Sequence, residues 1–80
     1  MNENLNKYKS VFKETFGIDE KGLENLKYQD IPEWDSVGHM GLMSSLEDIF
    51  EIEMDIDDII DFSSFEKGKE ILEKYTVNFG

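Results

Sequence analysis

Asp35-Ser36-Val37-Gly38-His39-Met40-Gly41-Leu42-Met43-Ser44-Ser45-Leu46-Glu47-Asp48-Ile49-Phe50-Glu51 is the stretch that decides the fold. Set on a wheel at about 100° per residue, Leu42, Met43, Leu46, Ile49 and Phe50 share one arc, and His39 falls on it near the start. That arc is expected to face a core. The opposite arc carries Val37, Met40, Gly41, Ser44, Glu47, Asp48 and Glu51. The segment therefore predicts an amphipathic helix that opens at Asp35-Ser36 and runs to about Phe50. Either side chain can cap it, because an oxygen there accepts a hydrogen bond from an unpaired first-turn amide. Gly38 and Gly41 each weaken it by about 1 kcal/mol relative to Ala.

Working outward, Leu5, Tyr8, Val11, Phe12 and Phe16 predict a first helix that stops at Gly17. Residues 18–34 form a long connection holding Gly22, the only proline (Pro32), and Ile18, Leu23, Leu26, Ile31 and Trp34. A loop of that length in a small domain packs onto the core or carries function. A short third helix is expected from Asp57 to Asp61. A last helix opens at Ser63-Ser64-Phe65-Glu66, where Ser63 and Glu66 have capping-box spacing. Phe65, Gly68, Ile71, Leu72 and Tyr75 give it an apolar stripe, and residues 77–80 are expected to fray. No segment predicts a strand, so the fold class is all-α.

The sequence has 80 residues, which read as one domain over 1–80 with a thin core. It contains no cysteine and a single histidine, so neither a disulfide framework nor a structural zinc site is expected. Nothing in it reads as a signal peptide or a membrane span. The chain is expected to be cytoplasmic and monomeric.

The net charge is −11, and all 8 basic residues are lysines. Nucleic-acid binding is disfavoured because phosphates need facing cations, and anionic membranes repel the chain for the same reason. No lysine lies between Tyr28 and Glu66, an interval with 12 acids if Glu66 is included. This single-sign surface serves either as a solvated face that aids solubility or as a dock for basic patches on partner proteins. Asp55, Asp57, Asp58 and Asp61 do not make an EF-hand, since Ile60 stands where the loop needs glycine. Diffuse, weak binding of divalent cations is expected from such crowded carboxylates.

Ser36 stands at the mouth of the central helix. A helix N-terminus has unpaired amides and a positive dipole end, so it accommodates an attached phosphate. A serine there is also an ordinary cap.

The stretch Glu33-Trp34-Asp35-Ser36-Val37-Gly38-His39 resembles the phosphopantetheine attachment motif of the acyl and peptidyl carrier proteins, an Asp-Ser-aliphatic sequence at the start of the second of four helices. Leu46-Glu47-Asp48-Ile49-Phe50-Glu51-Ile52 is similar to a second segment of that family. The resemblance covers about Ile31 to Tyr75; the first helix matches only in pattern. It implies a discrete, stand-alone four-helix bundle of the acyl-carrier type, with a long first loop and a short third helix.

The resemblance also implies a function. A phosphopantetheinyl transferase moves 4'-phosphopantetheine from coenzyme A onto the Ser36 hydroxyl, with Asp35 helping to orient transferase and arm. The arm then holds an acyl or aminoacyl group as a thioester. Val37 and Met40 are implied apolar contacts for partners, and Glu47 and Asp48 are implied contacts for basic docking patches on a loading ligase and an acceptor transferase. The carrier itself is not an enzyme, in keeping with the lack of a recognisable dyad or triad. Carriers of fatty chains often fold cargo between their helices, and Met43 and Met54 suit such repacking while also being ordinary gap-fillers.

Three positions depart from the fatty-acid branch. Val37 replaces a commoner leucine, Gly41 stands where an acid is frequent, and Trp34 precedes Asp-Ser. Gly41 speaks against a bulk fatty-acid carrier, and the Trp-Asp-Ser-x-Gly-His form looks more like discrete carriers outside fatty-acid synthesis, some of them in polysaccharide or secondary-metabolite pathways, with D-alanyl carriers sharing Trp-Asp-Ser. Trp34 can equally staple the loop onto the first helical turn, and His39 reads as a packed or edge histidine rather than a base. An unmodified acidic helical adaptor or inhibitor that binds a basic protein is the alternative function.

Overall fold

The computed structural model describes residues 3–79. Among these, the chain forms α1 (Glu3–Phe16), α2 (Ser36–Phe50), α3 (Ile56–Asp61) and α4 (Phe65–Glu73), with a single 3-10 turn at Leu23–Asn25 in the first connection. No described residue lies in a named strand; the one β-bridge pairs Lys27 with Ser64. Gly80, at the end of the tail expected to fray, lies outside the described residues.

The core is aromatic. Tyr8, Phe12, Phe16, Trp34, Phe62 and Phe65 are buried among Leu23, Leu42, Met43, Leu46, Met54, Ile71 and Leu72. Each large apolar side chain buried here contributes about 1.5–3 kcal/mol. Phe12 touches Tyr8, Phe16, Trp34, Phe62 and Phe65, all with ring centroids within 6.4 Å. Tyr8 takes its hydroxyl inside and donates it to the Phe65 carbonyl at 2.7 Å, so its polar end is not stranded. Burial first, then the Glu66 charge, pushes that hydroxyl well above the usual tyrosine range.

The long first connection is tied down at several points. Tyr28 N–H donates to the Ser63 carbonyl and Phe65 N–H to the Leu26 carbonyl, both at 2.9 Å, which pins the connection beside the start of α4. The same bonds explain a one-residue correction to the expected cap. Ser63 is held by its backbone, and Ser64 caps α4 through its Oγ, which accepts the Lys67 N–H at 2.9 Å. The expected Ser63–Glu66 capping box does not form.

Three further expectations are corrected. Ile49, placed on the core arc, is 36% exposed, because the last turn of α2 faces Asn4 and Lys7 at the polar start of α1. Tyr75 lies beyond α4, which ends at Glu73. The C-terminal residues are anchored: Val77 is buried, Asn78 accepts a hydrogen bond from the Asn4 side chain, and the Phe79 ring lies 5.3 Å from Tyr8.

A six-residue helix such as α3 does not form alone, because nucleation costs more than one turn returns. Here side chains hold it from both sides. Asp58, expected on a solvated acidic face, is instead buried and accepts from Lys74 Nζ and from the Tyr75 hydroxyl. The Tyr75 oxygen in turn accepts the Asp55 N–H at 2.9 Å. The Lys74 hydrogen bond first, and the Tyr75 one next, hold the Asp58 carboxyl below the usual carboxylate range. His39 secures the opposite side of α3.

Candidate functional site

The loop leading into α2 sets the site. Trp34 is fully buried, stacked at 5.5 Å on Phe16 and edge-on to Phe12 at 5.4 Å. Trp34 N–H donates to the Ile31 carbonyl, and its own carbonyl accepts from Gln29 N–H. With Trp34 anchored, Asp35 follows in extended conformation and caps α2: its Oδ1 accepts the Gly38 N–H at 2.8 Å. Gly38 is required because a Cβ there would collide with the Glu33 carbonyl oxygen.

Asp35 thus does the capping that either residue could have done. Ser36 is the first helical residue, exposed, with no described hydrogen bond on its hydroxyl. A nucleophile or acceptor at this place is accessible and sits at the positive end of a 15-residue helix.

Behind Ser36 lies His39, half-buried. The Trp34 indole N–H can only donate, and it reaches His39 Nδ1 at 2.9 Å. Nδ1 must therefore carry a lone pair, so the proton of the neutral ring sits on Nε2, which donates to the Ile59 carbonyl at 2.7 Å. One imidazole thus links the loop, α2 and α3. Both of its nitrogens are committed, which fits the packed-histidine reading and leaves no lone pair for Ser36.

Between α2 and α3 an open groove of about 340 Å³ is lined by Tyr28, Ser36, His39, Met40, Ile59, Ile60, Phe62 and Ser63. Met40 and Ile60 line it and are exposed, and the same two helices carry the exposed Val37 on α2 and Ile56 on α3. The α3 isoleucines Ile56 and Ile60 were missed in the sequence, although their i, i+4 spacing places them on one face of the helix.

Comparison with family models, with curated proteins and with solved structures gave no match. What the chain offers is therefore read from its own geometry.

Asp35, Ser36, Val37 and Met40 share one exposed end of α2. Glu47 and Asp48 lie roughly 16 Å further along the helix. Asp48 is exposed there, whereas Glu47 is half-buried and spends Oε2 on the Met54 N–H at 2.9 Å, bracing the α2–α3 connection. Its carboxylate is thus already partnered, a structural role that the implied docking role did not include. Among the described residues, no cluster of three or more acids or histidines could hold a metal ion, and no helix is long and apolar enough to cross a membrane.

Proposed function

We propose that this chain is a carrier of the acyl-carrier type, bearing 4'-phosphopantetheine on Ser36 and presenting a tethered acyl or aminoacyl group to partner enzymes in the cytoplasm. The observation that carries this reading is the division of labour at the start of α2. Asp35 caps the helix, so the neighbouring Ser36 hydroxyl is exposed, uncommitted and on the lip of an apolar groove.

The residues present fit the group. The α2 N-terminus favours a phosphodiester, and the groove offers an apolar lining to whatever hangs from it. In the attachment, the Ser36 oxygen forms a bond to the phosphorus next to the pantetheine, the pyrophosphate P–O bond breaks, and the nucleotide half of coenzyme A leaves. The transferase takes the hydroxyl proton, since this chain sets no base beside Ser36. When bound, the arm supplies a thiol that holds cargo as a thioester. Val37 and Met40, with Ile56 and Ile60 beside them, form the apolar centre of the face presented to the transferase, the loading ligase and the acceptor transferase. Asp48 on α2 and Glu51 at its C-terminal end steer basic patches towards it.

The same exposed isoleucines and acids also suit an unmodified adaptor, and one measurement separates the two readings. The protein is incubated with coenzyme A and a broad-specificity phosphopantetheinyl transferase and weighed intact. Wild type gains one phosphopantetheine and Ser36→Ala gains none. Wild type that gains no mass sinks the carrier reading, and Ser36→Ala that gains it moves the site elsewhere.

A further inference from the structure

We propose that His39 sets the depth of the groove beside Ser36, so that the carried group is a short acyl chain lodged against Met40, Ile59 and Ile60 and not a long chain threaded into the core. This rests on the carrier reading, and it assigns the class of cargo and the residue that selects it.

The imidazole stands between the groove, which it lines, and the fully buried Trp34, to which it is bonded. The ring lies 5.6 Å from Tyr28, 6.1 Å from Phe62 and 6.2 Å from Trp34, so it closes a wall of aromatic faces and edges. It cannot swing aside cheaply. Both nitrogens are hydrogen-bonded, and moving it strands the indole N–H of a fully buried Trp34 as well as the Ile59 carbonyl. Further in, Leu42 and Leu46 on the core face of α2 are fully buried, and an interior packed at that density yields only by distortion.

Space in front of the wall is small. The groove's volume is about 340 Å³. It is open to solvent on one side, so only the first few carbons beyond the sulfur lie against Met40, Ile59 and Ile60, and a longer chain that cannot pass His39 runs out into water.

The test loads the protein with acetyl, butyryl, octanoyl or dodecanoyl arms, using the corresponding acyl-coenzyme A and a broad-specificity transferase. Amide and indole resonances and melting temperature are then read. In wild type, amide shifts of Met40, Ile59 and Ile60 grow from acetyl to butyryl and then level off. The melting temperature rises by about 2–5 °C over the same step and then stops rising. The Trp34 indole resonance stays in place throughout. His39→Gln keeps an acceptor for Trp34 and a donor for Ile59, and it keeps the plateau. His39→Ala removes the wall, so shifts at Leu46 and the melting gain continue to octanoyl.

Wild-type shifts at Trp34 and Leu46 that keep growing through dodecanoyl overturn the proposal while leaving the carrier reading intact. So does a His39→Ala profile that matches wild type. If His39→Ala does not fold, the milder His39→Val, shorter than His and lacking both hydrogen bonds, must show the lengthened profile or the role of His39 is lost. Wild type that accepts no arm at all overturns the carrier reading, and this proposal with it.

Discussion

Asp35 and Ser36 are adjacent, yet only one of them is engaged by the fold, and substitutions should separate their roles. Asp35→Ala removes the oxygen that accepts the Gly38 amide, and it is expected to cost about 1 kcal/mol in urea denaturation. Asp35→Asn keeps that acceptor and drops the charge, so its stability should stay within a few tenths of a kcal/mol of wild type, roughly the spread among good cap residues. Equal losses for both variants would show that the carboxylate charge, not the cap, supports the helix. The two glycines of α2 make a second contrast. A Cβ at Gly41 meets nothing within 4 Å, so Gly41→Ala should gain about 0.5–1 kcal/mol from helix propensity alone. At Gly38 the Glu33 carbonyl already fills the space, and Gly38→Ala should lose about 1–3 kcal/mol as the loop is pushed away. Denaturation midpoints of the two variants must therefore move in opposite directions from wild type.

The smallest helix, α3, depends most on its neighbours, and pH reaches it through Asp58. Lys74 and Tyr75 hold the Asp58 carboxyl below its ordinary value, so the folded state favours the carboxylate. That contribution is fully present above the unfolded value of about 3.9 and is lost as pH falls through the lower folded value. Wild type should accordingly be more stable than Asp58→Asn near neutral pH, and the gap should close as the solution is acidified below about pH 4. A gap that is constant with pH would mean that the ion pair contributes nothing. Asp58 also shows where reading the sequence stops. α1, α2 and the left-handed end of α1 at Gly17 were legible because caps, apolar periodicity and glycine are local signals. The burial of Asp58 depends on residues 16 and 17 positions away, and the choice of Ser64 over Ser63 as a cap depends on Tyr28 holding the Ser63 carbonyl. Neither partner is marked in the local pattern. At the candidate site, Ser36 and its helix start could be read directly, whereas the groove could not, because it exists only once Ile59 and Phe62 are brought beside His39.

For the whole molecule, charge is distributed unevenly. Described ion pairs join Lys9 and Lys13 to Glu20, Lys69 to Glu66 and Lys74 to Asp58, and none involves an acid of α2. The exposed pairs to Glu20 and Glu66 are worth about 0–1 kcal/mol each, too little to offset the self-repulsion of a net charge of −11. The folded state should therefore be most strained at low ionic strength, where the Debye length reaches about 30 Å and spans the domain. Adding monovalent salt should raise the melting temperature, and divalent cations should do so at millimolar concentration. Since no described cluster can hold a metal ion, that divalent effect comes from the summed field and not from a ligand cage. Two consequences separate the cases: Mg²⁺ and Ca²⁺ should act alike despite their different coordination demands, and their effect should disappear in about 1 M NaCl, where the Debye length is about 3 Å. Melting curves with each ion, at low and high salt, decide the matter. A rise that is specific to Ca²⁺ and persists in high salt would require a built site, and the crowded acids from Asp55 to Asp61 would then be the place to look for it.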